Sequence, residues 1–366
     1  MMHAQEWHDK RARLAQLMTH KGLQGVLLTR CANFSWITCG GQAHVGLNSE
    51  SAVASVLCTP NGDYLLASRI EMTRMQTEEV AGLPLTPHQF DWFDPAARDR
   101  FVDEVCGAGR WGSDIAGTSQ SVAAEMTHLR VELTGAEQNR FASHGLATGL
   151  AIEAAARLVE PGMSELEVAG LLAQQIYASG ATPVVALIAA DERIRNFRHP
   201  APTLQRVNQM VMLVVCARRH GLIVSATRLV AFGRVDDVIA RRAEACAHVD
   251  AVAWQASQPG RRLGEAFGDI CAAYAAHGYP EEWHKHHQGG VTAYENREVQ
   301  ARLDSMHTIA VGQAFAWNPS ITGTKSEDTM LLTDHGPLAL STTGQWPMIA
   351  TSVAGVVVER PGILVR

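Results

Sequence analysis

The apolar pattern of the chain changes period several times. "LQGVLLT" (23–29) is a short apolar run of the buried-strand kind. "SAVASVLCT" (51–59) and "YLLAS" (64–68) flank Asn61-Gly62, which predicts a hairpin with an Asn-Gly turn. "RIEMTRMQTEEV" (69–80) predicts a helix. The opening "MMHAQEWHDKRARLAQLMTHKGL" is charged throughout, lacks the apolar core of a leader peptide and also predicts a helix. Strands and helices alternating over 1–133 give a small α/β domain.

A second pattern starts at Thr134. Thr134-Gly-Ala-Glu137 has the spacing of a capping box and opens an amphipathic helix that runs to about Leu158. Pro161-Gly162 breaks it. Ser164 and Glu167 cap the next helix, which stops at Gly180. A weak repeat follows: "PGMSELEVAGLLAQQIYASG" (161–180) aligns without gaps on "PGRRLGEAFGDICAAYAAHG" (259–278). Beyond each copy, "QMVMLV" (209–214) aligns on "QAFAWN" (313–318), so Val214 and Asn318 hold equivalent positions. Residues 134–366 therefore read as a second domain of two related α+β halves.

Composition narrows the function classes. A chain of 366 residues is long enough for two domains, and 46% apolar content supports a sizeable core. A net charge of −6 leaves no basic footprint for nucleic acid. No apolar run is long enough to span a bilayer. Seven scattered Cys with no C-x-x-C pair fit a reducing cytoplasm, not a disulfide framework.

Six segments, in this order, carry a resemblance: "EPGMSELEVA", "RHPAPT", "MLVVCARRHGLIVSATRLVAFG", "HHQGGVTAYE", "GQAFAWNPS" and "KSEDTMLL". Together they resemble the pita-bread family of creatinase, prolidase, aminopeptidase P and methionine aminopeptidase. Residues 1–133 are similar to the N-terminal domain of the creatinase and prolidase branch. The resemblance implies an α+β fold, a small α/β domain followed by a pita-bread domain with an internal pseudo-twofold repeat. The family's peptidases hold two divalent metals with two Asp, one His and two Glu. At the matching positions this chain has Val214, Ser225, His287, Asn318 and Glu327. Three carboxylates are missing, and divalent cations need anionic oxygen to offset dehydration. The expectation is a divergent member with no metal and no other cofactor. A single zinc on the "HKHH" tract (His284, His286, His287) is the weaker alternative.

Creatinase, the family's metal-free branch, hydrolyses a C–N bond with a His as general acid/base. His199 in "RHPAPT" matches that His, while Thr227 stands where creatinase has a Glu. The resemblance thus implies a cytoplasmic, metal-independent hydrolase of a C–N bond in a small guanidino, urea or amide compound. His199, His287 and Glu327 are the catalytic candidates, with His287 held protonated beside Glu327. Asn318, Trp317, Lys325, Arg228, Arg297 and Glu295 are candidates for binding substrate. A homodimer is expected, with no nucleic-acid or membrane partner, and "RCANFSWITCGG" (30–41) as a lid segment. The alternatives are a Xaa-Pro metallopeptidase with atypical ligands, a metal-free lyase, or a binding protein without catalysis.

Overall fold

The computed structural model describes residues 2–115 and 120–366. Contacts divide it into one unit of Met1–Glu137 with His220–Leu222, and a second of Gln138–Arg219 with Ile223–Arg366.

In the first unit, α1 (Met2–Lys21) precedes β1 (Gly25–Arg30), α2 (Cys31–Ile37), β2 (Ser51–Thr59) and β3 (Gly62–Ser68). There follow the short α3 (Met72–Arg74), β4 (Thr86–Phe90), α4 (Ala97–Cys106), β5 (Trp111–Ser113) and α5 (Ala123–Val131). The sheet order is β4-β3-β2-β1-β5. The predicted hairpin is present, but Thr59 pairs with Gly62, so Pro60 and Asn61 form its two-residue loop, one position earlier than expected. The expected helix over 69–80 is confined to α3 and a wide π turn at Met75–Glu79. The segment expected to be a lid is core. Every residue of α2 is buried, Lys10 Nζ donates to the Trp36 carbonyl at 2.7 Å, and a side chain at Gly41 would meet the Glu79 carbonyl at 2.7 Å. Its two glycines permit close packing and do not form a hinge.

The second unit is carried by α6 (Gly135–Leu158), α7 (Glu165–Ala178), β6 (Thr182–Ala190), α8 (Glu192–Asn196), β7 (Met210–Arg219) and β8 (Leu222–Ala231). Then come α9 (Asp237–Ala256), α10 (Leu263–Ala276), β9 (Gly289–Thr292), β10 (Val299–Gln300), β11 (Ala314–Trp317), β12 (Ser320–Ile321) and β13 (Thr324–Lys325). The chain ends with β14 (Asp328–Thr333), β15 (Gly336–Ala339), β16 (Met348–Val353), β17 (Val356–Pro361) and β18 (Ile363–Val365). Its two larger sheets run β18-β8-β7-β6 and β10-β9-β11-β14-β15. Both capping boxes form: Thr134 and Glu137 exchange hydrogen bonds, as do Ser164 and Glu167. The repeat appears as α7 and α10, of equal length, each leading into one of the two sheets.

Strand alternation separates the two faces of β7. Val211, Leu213, Val215 and Ala217 pack with Ile152, Ala155 and Ala156 of α6 and Val168, Leu172 and Ile176 of α7. Val214 and Cys216 face the other way and pair with Leu187 and Val185 of β6. These two rungs become one wall of a cavity.

Gly289 fixes how the second sheet closes. It sits at φ +104°, and a Cβ there would lie 2.1 Å from the Ala316 carbonyl oxygen of the adjoining strand. Gly170 and Gly268, matched in the repeat, have open space around them and ordinary helical backbone. Gly289→Ala is therefore expected to cost more than about 2 kcal/mol. Gly268→Ala should stabilise by about 0.4–1 kcal/mol. Urea midpoints of the two variants against the parent chain check both signs.

Candidate active site

Seven short stretches of chain converge on a cavity of about 340 Å³ within the second unit. Val185, Leu187, Val214 and Cys216 form its apolar wall. His199 comes from the loop after α8, and His287 lies two residues before β9. Asn296 and Arg297 sit in the turn before β10, Asn318 just after β11, and Lys325 and Glu327 on either side of the step from β13 to β14. Lys325 and Glu327 are two apart in an extended segment and share a face.

Glu327 is the centre of the polar half and is 2% exposed. Its Oε2 accepts from Thr227 Oγ1 at 2.7 Å and lies 2.8 Å from Lys325 Nζ. Its Oε1 lies 3.3 Å from Arg297 Nη2. Burial pushes the carboxyl upward, but Lys325 and then Arg297 outweigh it and hold it below the ordinary Glu value. Thr227 N also donates to the Glu327 carbonyl at 3.0 Å, which fixes the backbone against β8.

Three histidines stand beside this group. His286 Nε2 is 2.9 Å from His199 Nε2, and the rings of His286 and His287 stack at 4.4 Å. Burial first, then Arg297, brings His287 down to about 4. His286 is lowered further by burial and Lys325, and His199 more mildly by the same two causes. All three are therefore neutral near pH 7. The expectation that Glu327 keeps His287 protonated is not met, because burial and two cations outweigh one carboxylate. His286 Nδ1 is buried without a partner, and a proton placed there would have no acceptor. We assign the shared proton to His286 Nε2, donating to His199 Nε2.

The sequence candidates divide by strand geometry. His199, His287, Glu327, Asn318, Lys325 and Arg297 all line the cavity. Trp317 does not: it precedes Asn318, so alternation turns it to the opposite side, where Nε1 donates to Ser257 Oγ at 3.0 Å. Arg228 is likewise turned away from Thr227 and is buried against Glu153 at 3.2 Å and Asp328 at 3.0 Å. Glu295 lies in the turn after β9, where its N–H donates to Glu298 Oε1 at 3.2 Å, and it is not a lining residue. Cys216 was not expected, and His286 was expected only as a zinc ligand of the "HKHH" tract, not as the partner of His199. The doubled His of "HKHH" was the signal for His286, whereas Cys216 could have been found from its place two residues beyond Val214 on β7.

The positions that resemble the family's metal ligands do not fit a two-metal cluster. Val214 offers no donor atom. Ser225 Oγ contacts Cys216 Sγ at 3.3 Å and Arg297 Nη1 at 3.4 Å. Both oxygens of Glu327 are engaged by cationic side chains. Among the described residues, the nitrogens of His199, His286 and His287 do converge within 4.8 Å. Lys325 and Arg297 lower the proton affinity of that group and oppose a metal ion on the same grounds. His284 lies apart, stacked on Trp283 at 3.6 Å.

Residues 139–334 match the metallopeptidase family M24, and residues 10–146 match the creatinase/prolidase N-terminal domain. The chain belongs to the creatinase, aminopeptidase P and prolidase family. The fold recurs in solved structures at low identity. The prolidase from Pyrococcus horikoshii is 19% identical, with 92% of this chain and 98% of that one covered and a TM-score of 0.78. The Xaa-Pro dipeptidase from Bacillus anthracis is 18% identical, with 98% and 100% covered and a TM-score of 0.76. The N-terminal domain of the FACT complex subunit SPT16 from Cicer arietinum is 11% identical, with 93% and 97% covered and a TM-score of 0.71. No curated protein sequence matches the chain. No helix among the described residues is long and apolar enough to cross a membrane.

The lowered histidines make stability depend on pH. A folded-state value near 4 against an ordinary 6.5 means that the folded site disfavours the proton. The stabilisation from neutral His287 is complete above about pH 6.5 and is lost as pH falls toward 4, by up to about 1.4 kcal/mol per pH unit for one such group. Thermal melts between pH 7.5 and 4 should show this fall, and His287→Gln should flatten the part of it due to that residue.

Proposed function

We propose that this family member is a metal-independent hydrolase of a C–N bond in a small amide, urea or guanidino compound. The observation that carries the reading is the occupation of both Glu327 oxygens by Arg297 and Lys325, with Val214 and Asn318 at two other positions matching the family's ligands. His199 Nε2 is the basic atom. Substrate and water displace His286 from it, and it takes a proton from the attacking water. The water oxygen bonds to the carbon, the C–N bond breaks, and the same proton passes to the departing nitrogen. Lys325 and Arg297 oppose the charge that develops on the carbonyl or equivalent atom. Before substrate enters, His286 holds the His199 ring through that hydrogen bond.

The second reading is a Xaa-Pro peptidase that uses metal through an atypical ligand set. It is favoured by the names of the structural neighbours, which are largely prolidases and Xaa-Pro dipeptidases, and by the three converging histidine nitrogens. On family likeness it is the stronger of the two, and what weighs against it is the donor set at the positions matching the family's ligands.

Metal content by plasma mass spectrometry, together with turnover of Xaa-Pro dipeptides and of small amides, ureas and guanidino compounds with and without chelator, separates the readings. The expected result is under one-tenth of a metal per chain, turnover insensitive to chelator, and a loss of 10²–10⁴ in kcat for His199→Ala. Turnover of Xaa-Pro dipeptides that chelator abolishes and added metal restores would establish the second reading.

A further inference from the structure

Resting on the hydrolase reading, we propose that the ligand is a small carboxylate that also carries an N–H, an N-acyl or N-carbamoyl amino acid of a few carbons, and not a guanidinium cation. Three features of the cavity argue for it together.

The first is charge. Lys325 and Arg297 each bring a positive charge and Glu327 a single negative one. A proton on any of the three neighbouring histidines would only add to the positive side. The neighbouring Asp328 does not enter the count, since it is paired with Arg228 and Arg360 on the far side of the strand. One positive charge is left over in a buried site, and an unbalanced buried charge is costly. A monoanion removes it, whereas a guanidinium would double it.

The second is unspent hydrogen-bonding capacity. Lys325 is 6% exposed and an ammonium has three donors, of which Glu327 and its one contact account for one. Arg297 Nε is buried without an acceptor. Each of the two cations thus keeps an N–H that Glu327 does not take up. Asn318 has the converse need: it is 3% exposed, and its Oδ1 is buried without a donor. A carboxylate serves the first two and an amide or ureido N–H serves the third, so one short molecule satisfies all of them.

The third is shape. The opposite wall is aliphatic, from Val185, Leu187 and Val214, so the ligand needs an apolar flank. The volume of about 340 Å³ is at the small end of the roughly 300–1,000 Å³ usual for ligand sites.

Calorimetric titration of the full chain tests this without relying on turnover. The probes are N-carbamoylglycine, N-acetylglycine, the neutral N-acetylglycinamide and methylguanidine. The two carboxylates are expected to bind at least tenfold more tightly than the neutral amide, and methylguanidine least. Lys325→Met should weaken carboxylate binding at least tenfold, and Glu327→Gln should strengthen it. The series on the unaltered chain stands even where a variant folds poorly. A neutral amide or methylguanidine binding as well as the carboxylates would overturn the proposal, as would no binding of any probe, or a Lys325→Met chain that binds carboxylate unchanged. Carboxylate binding with no hydrolysis would uphold the ligand class and refute the hydrolase reading. Hydrolysis of neutral or cationic compounds alone would do the reverse.

Discussion

Glu327 is a carboxylate taken out of water, and everything around it follows from the need to keep it charged. An isolated buried carboxylate would take up a proton; this one is held ionised by Lys325, Arg297 and the Thr227 hydroxyl. Burial first, and then the same two cations, set the protonation of the neighbouring histidines. Together they outweigh the single carboxylate, so His287 and His286 are neutral and His199 is the exposed member of the three. The apolar wall of Val214 and Leu187 sharpens all of these effects by excluding water from one side.

The floor of the cavity is rigid because a second charge system lies directly behind it. Glu327 and Asp328 are adjacent and point to opposite sides. Asp328 pairs with Arg228 at 3.0 Å and Arg360 at 3.3 Å and accepts from Ser341 Oγ at 2.7 Å. Arg360 reaches on to Asp250 at 2.7 Å, and Arg228 to Glu153 at 3.2 Å. Breaking such a buried pair by removing one partner typically costs about 3–5 kcal/mol. The network therefore anchors β14 and holds Glu327 in one place relative to β8. Lys325 differs in kind: without it Glu327 still has Arg297 and Thr227, so the charge of the cavity can be altered without orphaning the carboxylate.

The elements that were legible in the sequence are those set by local chemistry. The capping boxes at Thr134 and Ser164, the paired helices of the repeat and the buried β1 run depend on residues a few positions apart. The spacing of Lys325 and Glu327 was readable for the same reason. What was not readable depends on which face of an element meets the core. Trp317 and Asn318 cannot both face one cavity, and neither can Thr227 and Arg228, yet the sequence does not say which of each pair turns inward. The α2 segment has the aromatic and glycine content of a mobile loop, but Lys10 and close backbone packing bury it. The charge state of His287 was beyond reach because it depends first on burial and then on Arg297, which comes from a turn ten residues away, and only the folded sheet defines both.

The relation between the family's cluster and this cavity is one of charge balance. In the family's metallopeptidases, two divalent ions are neutralised by two Asp and two Glu. Val214, Ser225 and Asn318 remove three of those four negative charges together, and each replacement is neutral. Had only the metals been lost, the surviving carboxylates would repel one another and bind protons. Had only the carboxylates been lost, no anchor would remain for Lys325 and Arg297. With one carboxylate and two cations the site is stable but one charge short of neutral. The missing charge is the part of the balance that the polypeptide does not supply. A buried pocket left positive attracts an anion, and the proposed carboxylate ligand follows from this imbalance more than from the loss of any one metal ligand.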